Sequence, residues 1–249
     1  MKTLTTILFD LDDTLLGNSM EHFIPQYFAL LADYARPVLD DTRRFLQLLL
    51  AGTQAMIQNT DPTQSNRDVF WQYFQAHTGL DPAGTEQFFD DFYRDVFPRL
   101  QPVTQPRPEA IALVHDCLAH ELQVVVATNP LFPRRAIEHR LAWAGLPVSE
   151  VPFALVTTYE NMHAAKPQPA YYQEILAQVG ARPGQAIMVG DDWKNDIAPA
   201  AQVGLGVYWM NPAGEAPPDN TPLIGQGDLT NLRQWLTQRP PFAPTTAQN

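Results

Sequence analysis

Four groups of polar side chains stand where predicted strands end or where a predicted helix begins. They are Asp10 with Asp12, Thr128 with Asn129, Lys166, and Asp191 with Asp196. The first group directly follows the apolar run Ile7-Leu8-Phe9. Because a carboxylate at the end of a buried strand is costly to desolvate unless it is paired or binds a cation, this pattern predicts a cleft that holds a divalent metal ion.

Phosphoryl transfer is the chemistry that these side chains suit best, since it needs a nucleophile, charge neutralisation and a proton donor for the leaving oxygen. Asp10 is the predicted nucleophile, because carboxylates form covalent phosphoryl intermediates. Asp12 lies two residues further on, and in an extended chain it points to the same side as Asp10. We predict that Asp12 protonates the leaving group and then activates water.

The same cleft is predicted to hold Mg²⁺ and the phosphoryl oxygens. A hard cation with near-octahedral oxygen coordination fits Asp10 and Asp191, with Asp196 close behind. Lys166 and the Thr128 hydroxyl are the predicted partners of the phosphoryl oxygens, and the backbone N–H of Asn129 suits the same anion. Each group alone has an ordinary structural explanation, such as a solvated turn, a helix N-cap or a surface lysine. Their joint appearance at strand ends is what favours an active site.

Short apolar strands that alternate with helices must position these groups. The predicted strands are residues 4–9, 122–127, 153–157, 186–189 and 206–210. Helices are predicted at residues 109–121, 133–144, 166–179 and 228–236, with a short one before Gly204. This alternation indicates an α/β fold with a doubly wound parallel sheet, in which the strand ends meet at one edge.

A block of helical patterns interrupts this alternation after the first strand. Apolar residues recur there at three- and four-residue steps, most clearly in residues 45–50, 70–74 and 88–97. We assign residues 17–106 to an inserted α-helical cap domain, and residues 1–16 and 107–249 to the core domain. Because a proline-rich segment returns opposite Gly17 and Asn18, we also predict a two-stranded hinge between cap and core.

The composition limits the classes of partner. The 249 residues carry a net charge of −11, which disfavours nucleic acid and anionic membranes as partners. The sequence offers no signal peptide and no apolar run near the ~20 residues of a membrane helix, so we expect a cytoplasmic protein. Cys117 is the only cysteine, which excludes an intrachain disulfide. The expected partner is a small phosphate ester, bound by a monomer or weak dimer.

Four stretches of the chain together resemble the four motifs of the haloacid dehalogenase superfamily. They are Phe9-Asp10-Leu11-Asp12-Asp13-Thr14-Leu15, Ala127-Thr128-Asn129, Lys166-Pro167, and Gly190-Asp191-Asp192-Trp193-Lys194-Asn195-Asp196. The inserted helical block is similar to the type 1 cap of subfamily I. Three positions depart from the common pattern: Asp13 and Ala165 stand where glycine is frequent, and Gln168 replaces an aspartate.

The resemblance implies a Rossmann-like core, a mobile helical lid and a Mg²⁺-dependent aspartyl-phosphate mechanism. It gives Asp10 the place of the nucleophile and Asp12 the place of the acid/base, with the backbone carbonyl of Asp12 as a further Mg²⁺ ligand. The other implied roles are phosphate binding for Thr128 and Lys166, and metal binding or orientation for Asp191 and Asp196.

Other activities on this scaffold fit the sequence less well. Dehalogenases lack the second aspartate, here Asp12, and phosphonatases use a cap lysine, whereas residues 18–105 contain none. A sugar-phosphate mutase remains an alternative because His22 lies ten residues after Asp12, similar to a hinge histidine of those mutases. A non-catalytic binding protein also remains an alternative, although such proteins typically lose a motif carboxylate. The insertion suits a small sugar, nucleotide or glycolate phosphate about equally.

Overall fold

Parallel strands form the central sheet of the computed structural model, which describes residues 3–242. The strands are β1 (Thr6–Phe9), β2 (Leu16–Gly17), β3 (Gln105–Pro106), β4 (Gln123–Val126), β5 (Leu155–Val156), β6 (Ala186–Gly190), β7 (Gly206–Met210) and β8 (Gly225–Gly227). Six of them form the sheet in the order β5-β4-β1-β6-β7-β8, and every neighbouring pair is parallel. The predicted α/β fold with a doubly wound, Rossmann-like parallel sheet is confirmed.

Helices cover this sheet and form the long insertion after β1. The helices are α1 (Met20–Ala35), α2 (Thr42–Gln58), α3 (Asn66–Thr78), α4 (Pro82–Asp91), α5 (Pro108–Ala119), α6 (Arg134–Trp143), α7 (Pro169–Val179), α8 (Ala198–Val203) and α9 (Leu229–Thr237). No helix of the described residues 3–242 has the length and the hydropathy that a bilayer span requires.

The middle of the sheet brings three chain segments to one edge. All four residues of β1 are buried, as expected for a central strand of a parallel sheet. Phe9, the last residue of β1, lies in register with Val126 of β4 and with Val189 of β6. Asp10, Thr128 and Asp191 follow these three strands within two residues, so the sheet places these three predicted site residues side by side.

The outer part of the sheet differs from the prediction. The strand predicted at residues 153–157 shortens to two residues in β5, and β8 was not predicted at all. Its sequence Gly-Gln-Gly has no β propensity to detect. Glycine is nevertheless required at Gly225, because a Cβ atom there would lie 2.9 Å from the ring of Tyr208.

The helical insertion is held together largely by aromatic rings. Phe45, Phe74 and Phe89 come from three different helices, and their ring centroids lie 5.7 to 5.9 Å apart. The single helix predicted over residues 88–97 is wrong in detail, since α4 is followed by a π-helix (Phe92–Val96) and a 3₁₀ helix (Phe97–Val103). Pro98, which has no N–H to donate, explains why a regular α-helix does not continue.

The two ends of the insertion meet in a short antiparallel pair. Leu16 pairs with Pro106, and Gly17 pairs with Gln105, so the predicted two-stranded connection is present. At the other end of the chain, we predicted disorder beyond Arg239. Residues 243–249 of that tail lie outside the described range, whereas the ring of Phe242 stacks on His120 with a centroid separation of 4.1 Å.

Candidate active site

All seven side chains that the sequence singled out line one cavity of about 510 Å³ at the carboxyl edge of the sheet. They are Asp10, Asp12, Thr128, Asn129, Lys166, Asp191 and Asp196. They come from four separate segments of the chain, and the register of the central strands brings three of these segments together. The structure therefore assembles the predicted constellation in one place.

Lys166 lies at the centre of this constellation. Its side chain is only 2% exposed, and its Nζ atom donates to Asp10 Oδ1 and to Asp196 Oδ1, both at 2.6 Å. The backbone N–H of Lys166 donates to Asn129 Oδ1 at 3.3 Å, which ties the lysine segment to the loop after β4. One buried cation is thus shared by two buried carboxylates, leaving a net negative charge.

A third carboxylate joins these two. Asp10, Asp191 and Asp196 each offer an oxygen atom, and the three oxygens lie within 4.8 Å of one another. The backbone N–H of Asp192 donates to Asp196 Oδ2 at 3.1 Å and fixes its orientation. Gly190 is required beside them, because a Cβ atom there would lie 2.3 Å from Asp196 Oδ2.

The electrostatics of the cluster favour an added cation. Burial raises the pKa of Asp10 well above its usual range, against the opposing effect of Lys166, and the neighbouring carboxylates raise it further. Burial and Asp196 raise the pKa of Asp191 to about 7, and burial also raises the pKa of Asp196. Burial lowers the pKa of Lys166, but the two carboxylates outweigh it and hold that pKa well above its usual range.

The donor set fits a hard divalent cation. Three carboxylate oxygens face one point, and oxygen atoms are the ligands that Mg²⁺ and Ca²⁺ prefer. A divalent ion would relieve the repulsion that raises the carboxyl pKa values, because a nearby positive charge favours the ionised form. Asp10, Asp191 and Asp196 are therefore the side chains able to hold such an ion.

The Asp12 carboxylate stands apart from the three clustered carboxylates. Its Oδ2 atom forms an ion pair with Arg140, and its Oδ1 atom accepts a hydrogen bond of 2.6 Å from Asn18 Nδ2. The side chain of Arg140 is 1% exposed, and Asn18 is 2% exposed. Asp12 is thus clamped from two sides by buried donors, at the entrance to the helical insertion.

Arg140 is the residue that the sequence reasoning missed. It lies on α6, and its guanidinium sits over the rings of Phe23 and Phe132, at 5.6 and 5.5 Å from their centroids. A signal was present in the sequence. Ile137, Arg140 and Leu141 follow one another at helical spacing, which places the arginine on the apolar, buried stripe of the helix.

The two residues after β4 also reach the cavity. Thr128 is 2% exposed, and its carbonyl accepts hydrogen bonds from Thr157 Oγ1 at 2.7 Å and from the Tyr171 hydroxyl at 2.8 Å. These contacts fix the backbone where the predicted phosphate contacts lie. His22, in contrast, is exposed, and its Nδ1 atom lies 3.3 Å from Ser19 Oγ rather than in the cavity.

Gln168 connects the site to the helical insertion. Its Nε2 atom donates to the carbonyl of Ile57 at 2.7 Å and to that of Asn59 at 2.9 Å, both at the end of α2. Asn59 Nδ2 donates in return to the carbonyl of His163 at 3.0 Å. An aspartate at position 168 has no hydrogen to donate, so this departure from the common motif has a structural reason.

Comparisons with known proteins agree with this arrangement. A family model described as haloacid dehalogenase-like hydrolase matches residues 4–204. The ribulose-1,5-bisphosphate 5-phosphatase of Halopiger xanaduensis is 25% identical over 215 residues, which cover 85% of this chain and 87% of that protein.

Two solved structures share the fold along nearly the whole chain. The HAD phosphatase from Thermococcus onnurineus superposes with a TM-score of 0.59 at 21% identity, covering 95% of this chain and 99% of that one. The 2-haloacid dehalogenase from Pseudomonas syringae pv. tomato has a TM-score of 0.60 at 25% identity, with the same coverage. Both matches include the helical insertion as well as the sheet.

Proposed function

The chain belongs to the haloacid dehalogenase-like hydrolases, and on that premise we propose that it is a Mg²⁺-dependent phosphatase of small phosphate monoesters. The observation that carries the proposal is the separation of two acids in one cavity. Asp10 belongs to the carboxylate cluster beside Lys166, whereas Asp12 is held away from it by Arg140 and Asn18. Two acids in different surroundings suit two different roles.

Asp10 is the proposed nucleophile. Its Oδ1 atom is held by Lys166 at 2.6 Å, which leaves Oδ2 to attack the phosphorus atom while the bond to the leaving oxygen breaks. The product of this step is an aspartyl phosphate, which water then hydrolyses. Lys166, the Thr128 hydroxyl and the Asn129 backbone N–H are the proposed contacts of the phosphoryl oxygens.

Asp12 is the proposed acid and base. Its clamp keeps the carboxylate outside the cluster of Asp10, Asp191 and Asp196, on the side where the leaving oxygen departs. In its protonated form, Asp12 gives its proton to that oxygen, and the resulting carboxylate takes a proton from the attacking water, so the cycle restores the protonated acid.

Mg²⁺ is the proposed cation, held by the carboxylates of Asp10, Asp191 and Asp196 and, in line with the family resemblance, by the backbone carbonyl of Asp12. When bound, Mg²⁺ neutralises charge that develops on the phosphoryl oxygens. We also propose that residues 17–106 form a type 1 cap of subfamily I. The antiparallel pair of β2 with β3 at the two ends of this segment supports that assignment.

Phosphate release from p-nitrophenyl phosphate tests the proposal. We expect turnover that requires Mg²⁺, stops with a chelator, and falls by more than ~10⁴-fold in Asp10→Asn, because the covalent route is lost. Asp33→Asn is the matched control, since this exposed aspartate pairs only with Arg36 on the surface of α1. Full turnover in Asp10→Asn would show that the nucleophile is misassigned.

The dehalogenase and mutase alternatives are tested on the same samples. Because the chain is similar to the structure of a 2-haloacid dehalogenase, halide release should be measured as well. The position of Asp12, held by Arg140 and Asn18, favours a reaction in which a leaving oxygen needs a proton. The exposed position of His22 gives the mutase reading no support. Isomerised sugar phosphate without free phosphate would favour the mutase, and halide release without phosphatase activity would favour the dehalogenase.

A further inference from the structure

A second cavity adjoins the candidate active site. It has a volume of about 190 Å³ and lies between the helical insertion and the core. Met20, Leu131 and Phe132 line both this cavity and the catalytic one, so the two share a wall. The second cavity is therefore adjacent to any molecule bound at the catalytic site.

This second cavity is apolar and uncharged. None of its fifteen lining residues carries a charge, and eight of them are aromatic. Among its polar groups, the hydroxyls of Tyr27 and Tyr93 lie 2.9 Å apart, and the Thr53 hydroxyl donates to the Leu49 carbonyl at 2.9 Å. The buried Trp71 Nε1 atom is a single donor without a hydrogen-bond partner among the described residues. Such walls stabilise hydrocarbon, offer a polyhydroxylated sugar few hydrogen-bond partners and offer a second phosphate no cation.

The shared wall lies beside Asp12, the proposed acid. Met20 Sδ is 4.0 Å from the same Asn18 Nδ2 atom that donates to Asp12, and the Phe132 ring lies under the guanidinium of Arg140, the other partner of Asp12. A leaving oxygen that is protonated by Asp12 must therefore be near this wall. The group attached to that oxygen begins at the wall and continues into the apolar cavity.

The cations of the catalytic cavity point to the same class of substrate. Lys166 is paired with Asp10 and Asp196, and Arg140 is paired with Asp12, so the two buried cations that line this cavity are already neutralised. A bisphosphate, such as the substrate in the name of the Halopiger relative, needs a further cation for its second phosphate group.

We infer that the substrate is a phosphate monoester of an apolar alcohol or phenol, whose hydrocarbon group occupies the cavity between cap and core. This inference rests on the proposed phosphatase activity and names its substrate class. An apolar cavity of about 150 Å³ holds one benzene molecule. A cavity of about 190 Å³ therefore accommodates one aromatic ring or an alkyl chain of similar size.

A series of n-alkyl phosphates from methyl to decyl tests the inference, with released phosphate as the readout. We expect kcat/KM to rise by roughly fourfold for each methylene buried and to level off near six to eight carbons, when the cavity is full. A sugar bisphosphate is expected to react more slowly than hexyl phosphate. A flat or falling series, or a faster sugar bisphosphate, would overturn the inference and leave the phosphatase proposal standing.

Two variants locate the effect in the cavity. Leu50 lines the cavity at its exposed rim, so Leu50→Asp places a charge there with little risk to folding, and we expect the hexyl-to-methyl ratio of kcat/KM to fall. Val38→Asp is the control, because Val38 is 64% exposed and does not line the cavity. An unchanged ratio in Leu50→Asp would contradict the inference. Absence of phosphate release from every ester, p-nitrophenyl phosphate included, would overturn the proposed function itself.

Discussion

At the scale of single residues, the position of Asp12, the proposed acid, is set by its hydrogen-bond partners. Asp12 has the same side chain as Asp10, two residues away, yet it sits outside the carboxylate cluster because Arg140 and Asn18 hold it. Arg140 is always charged and nearly fully buried, so its pairing with Asp12 is costly to break. We regard Arg140 as a positioning residue for Asp12.

Replacement of Arg140 should therefore cost more with poor leaving groups than with good ones. In Arg140→Met we expect kcat for phenyl phosphate to fall by about 10- to 100-fold, which is part of the ~10²–10⁴ that a positioned general acid contributes. The loss with p-nitrophenyl phosphate should be smaller, because that leaving group needs less help from a proton. Steady-state kinetics on both esters measures the difference, and Arg140→Lys should rescue part of it.

Arg134→Met is the matched control, since this exposed arginine lies on the same helix. Equal losses with the two esters in Arg140→Met would argue for a structural role alone.

Some site residues could be predicted from the sequence and one was missed, because their positions in the sequence pattern are unusual to different degrees. Asp10 and Asp191 could be predicted because charged groups directly after buried strands have few structural explanations. Lys166 was predicted from its place at a helix start together with these groups. Arg140 was missed although its helical spacing with two apolar residues of α6 was a signal, because an arginine on a helix has no unusual feature until its face is known to be buried.

At the scale of elements, the turn between α2 and α3 is tied directly to the segment that carries Lys166. Gln168 donates to two carbonyls at the end of α2, and the buried Asn66 side chain at the start of α3 donates to the carbonyls of Pro130 and Ala164. The cap thus contacts the core through hydrogen bonds as well as through the β2–β3 connection. Closure of the cap and placement of Lys166 are expected to be coupled.

Substitution of Gln168 tests this coupling. In Gln168→Glu, a carboxylate replaces the donor and faces two carbonyl oxygens, so we expect the turn between α2 and α3 to open more often. Loss of hydrogen bonds that leaves buried partners unpaired costs about 1–3 kcal/mol, which corresponds to amide exchange roughly 10- to 100-fold faster in residues 57–66.

Hydrogen-exchange mass spectrometry measures this change. Gln173→Glu, at an exposed position of α7, is the control. Unaltered exchange in Gln168→Glu would show that the hydrogen bonds do not hold the cap.

The elements themselves were predictable to different degrees. The central strands β1, β4 and β6 are apolar and bounded by clear turn signals, so their positions and parallel direction followed from alternation with helices. The π-helix and 3₁₀ helix after α4 were not predictable from periodicity, because the aromatic spacing of residues 88–97 fits a regular α-helix equally well. Tertiary packing and Pro98 decide the local helix type.

At the scale of the whole molecule, the carboxylate cluster links stability to pH and to the metal. The pKa of Asp191 is about 7 in the folded protein and 3.8 in an ordinary carboxyl group, so the folded state binds more protons between these values. Asp191 therefore contributes stability to the metal-free protein at low pH, and this contribution is lost as the pH rises from about 4 to 7. Mg²⁺ should act in the opposite direction, since it binds the ionised carboxylates.

We accordingly expect Mg²⁺, at 100 times its Kd at pH 8, to raise Tm by roughly 5–10 °C at that pH. The same Mg²⁺ concentration should raise Tm much less at pH 5. Scanning calorimetry with and without Mg²⁺ at pH 5, 6, 7 and 8 measures the effect. Asp191→Asn removes one ligand and one titrating group, so its Tm should respond weakly to Mg²⁺ at every pH. The control is Asp33→Asn, an exposed position, which should respond to Mg²⁺ as the unaltered protein does. Asp228→Asn is unsuitable as a control because Asp228 caps α9. A Mg²⁺-induced shift of equal size at pH 5 and pH 8 would mean that the ion binds elsewhere than at Asp10, Asp191 and Asp196.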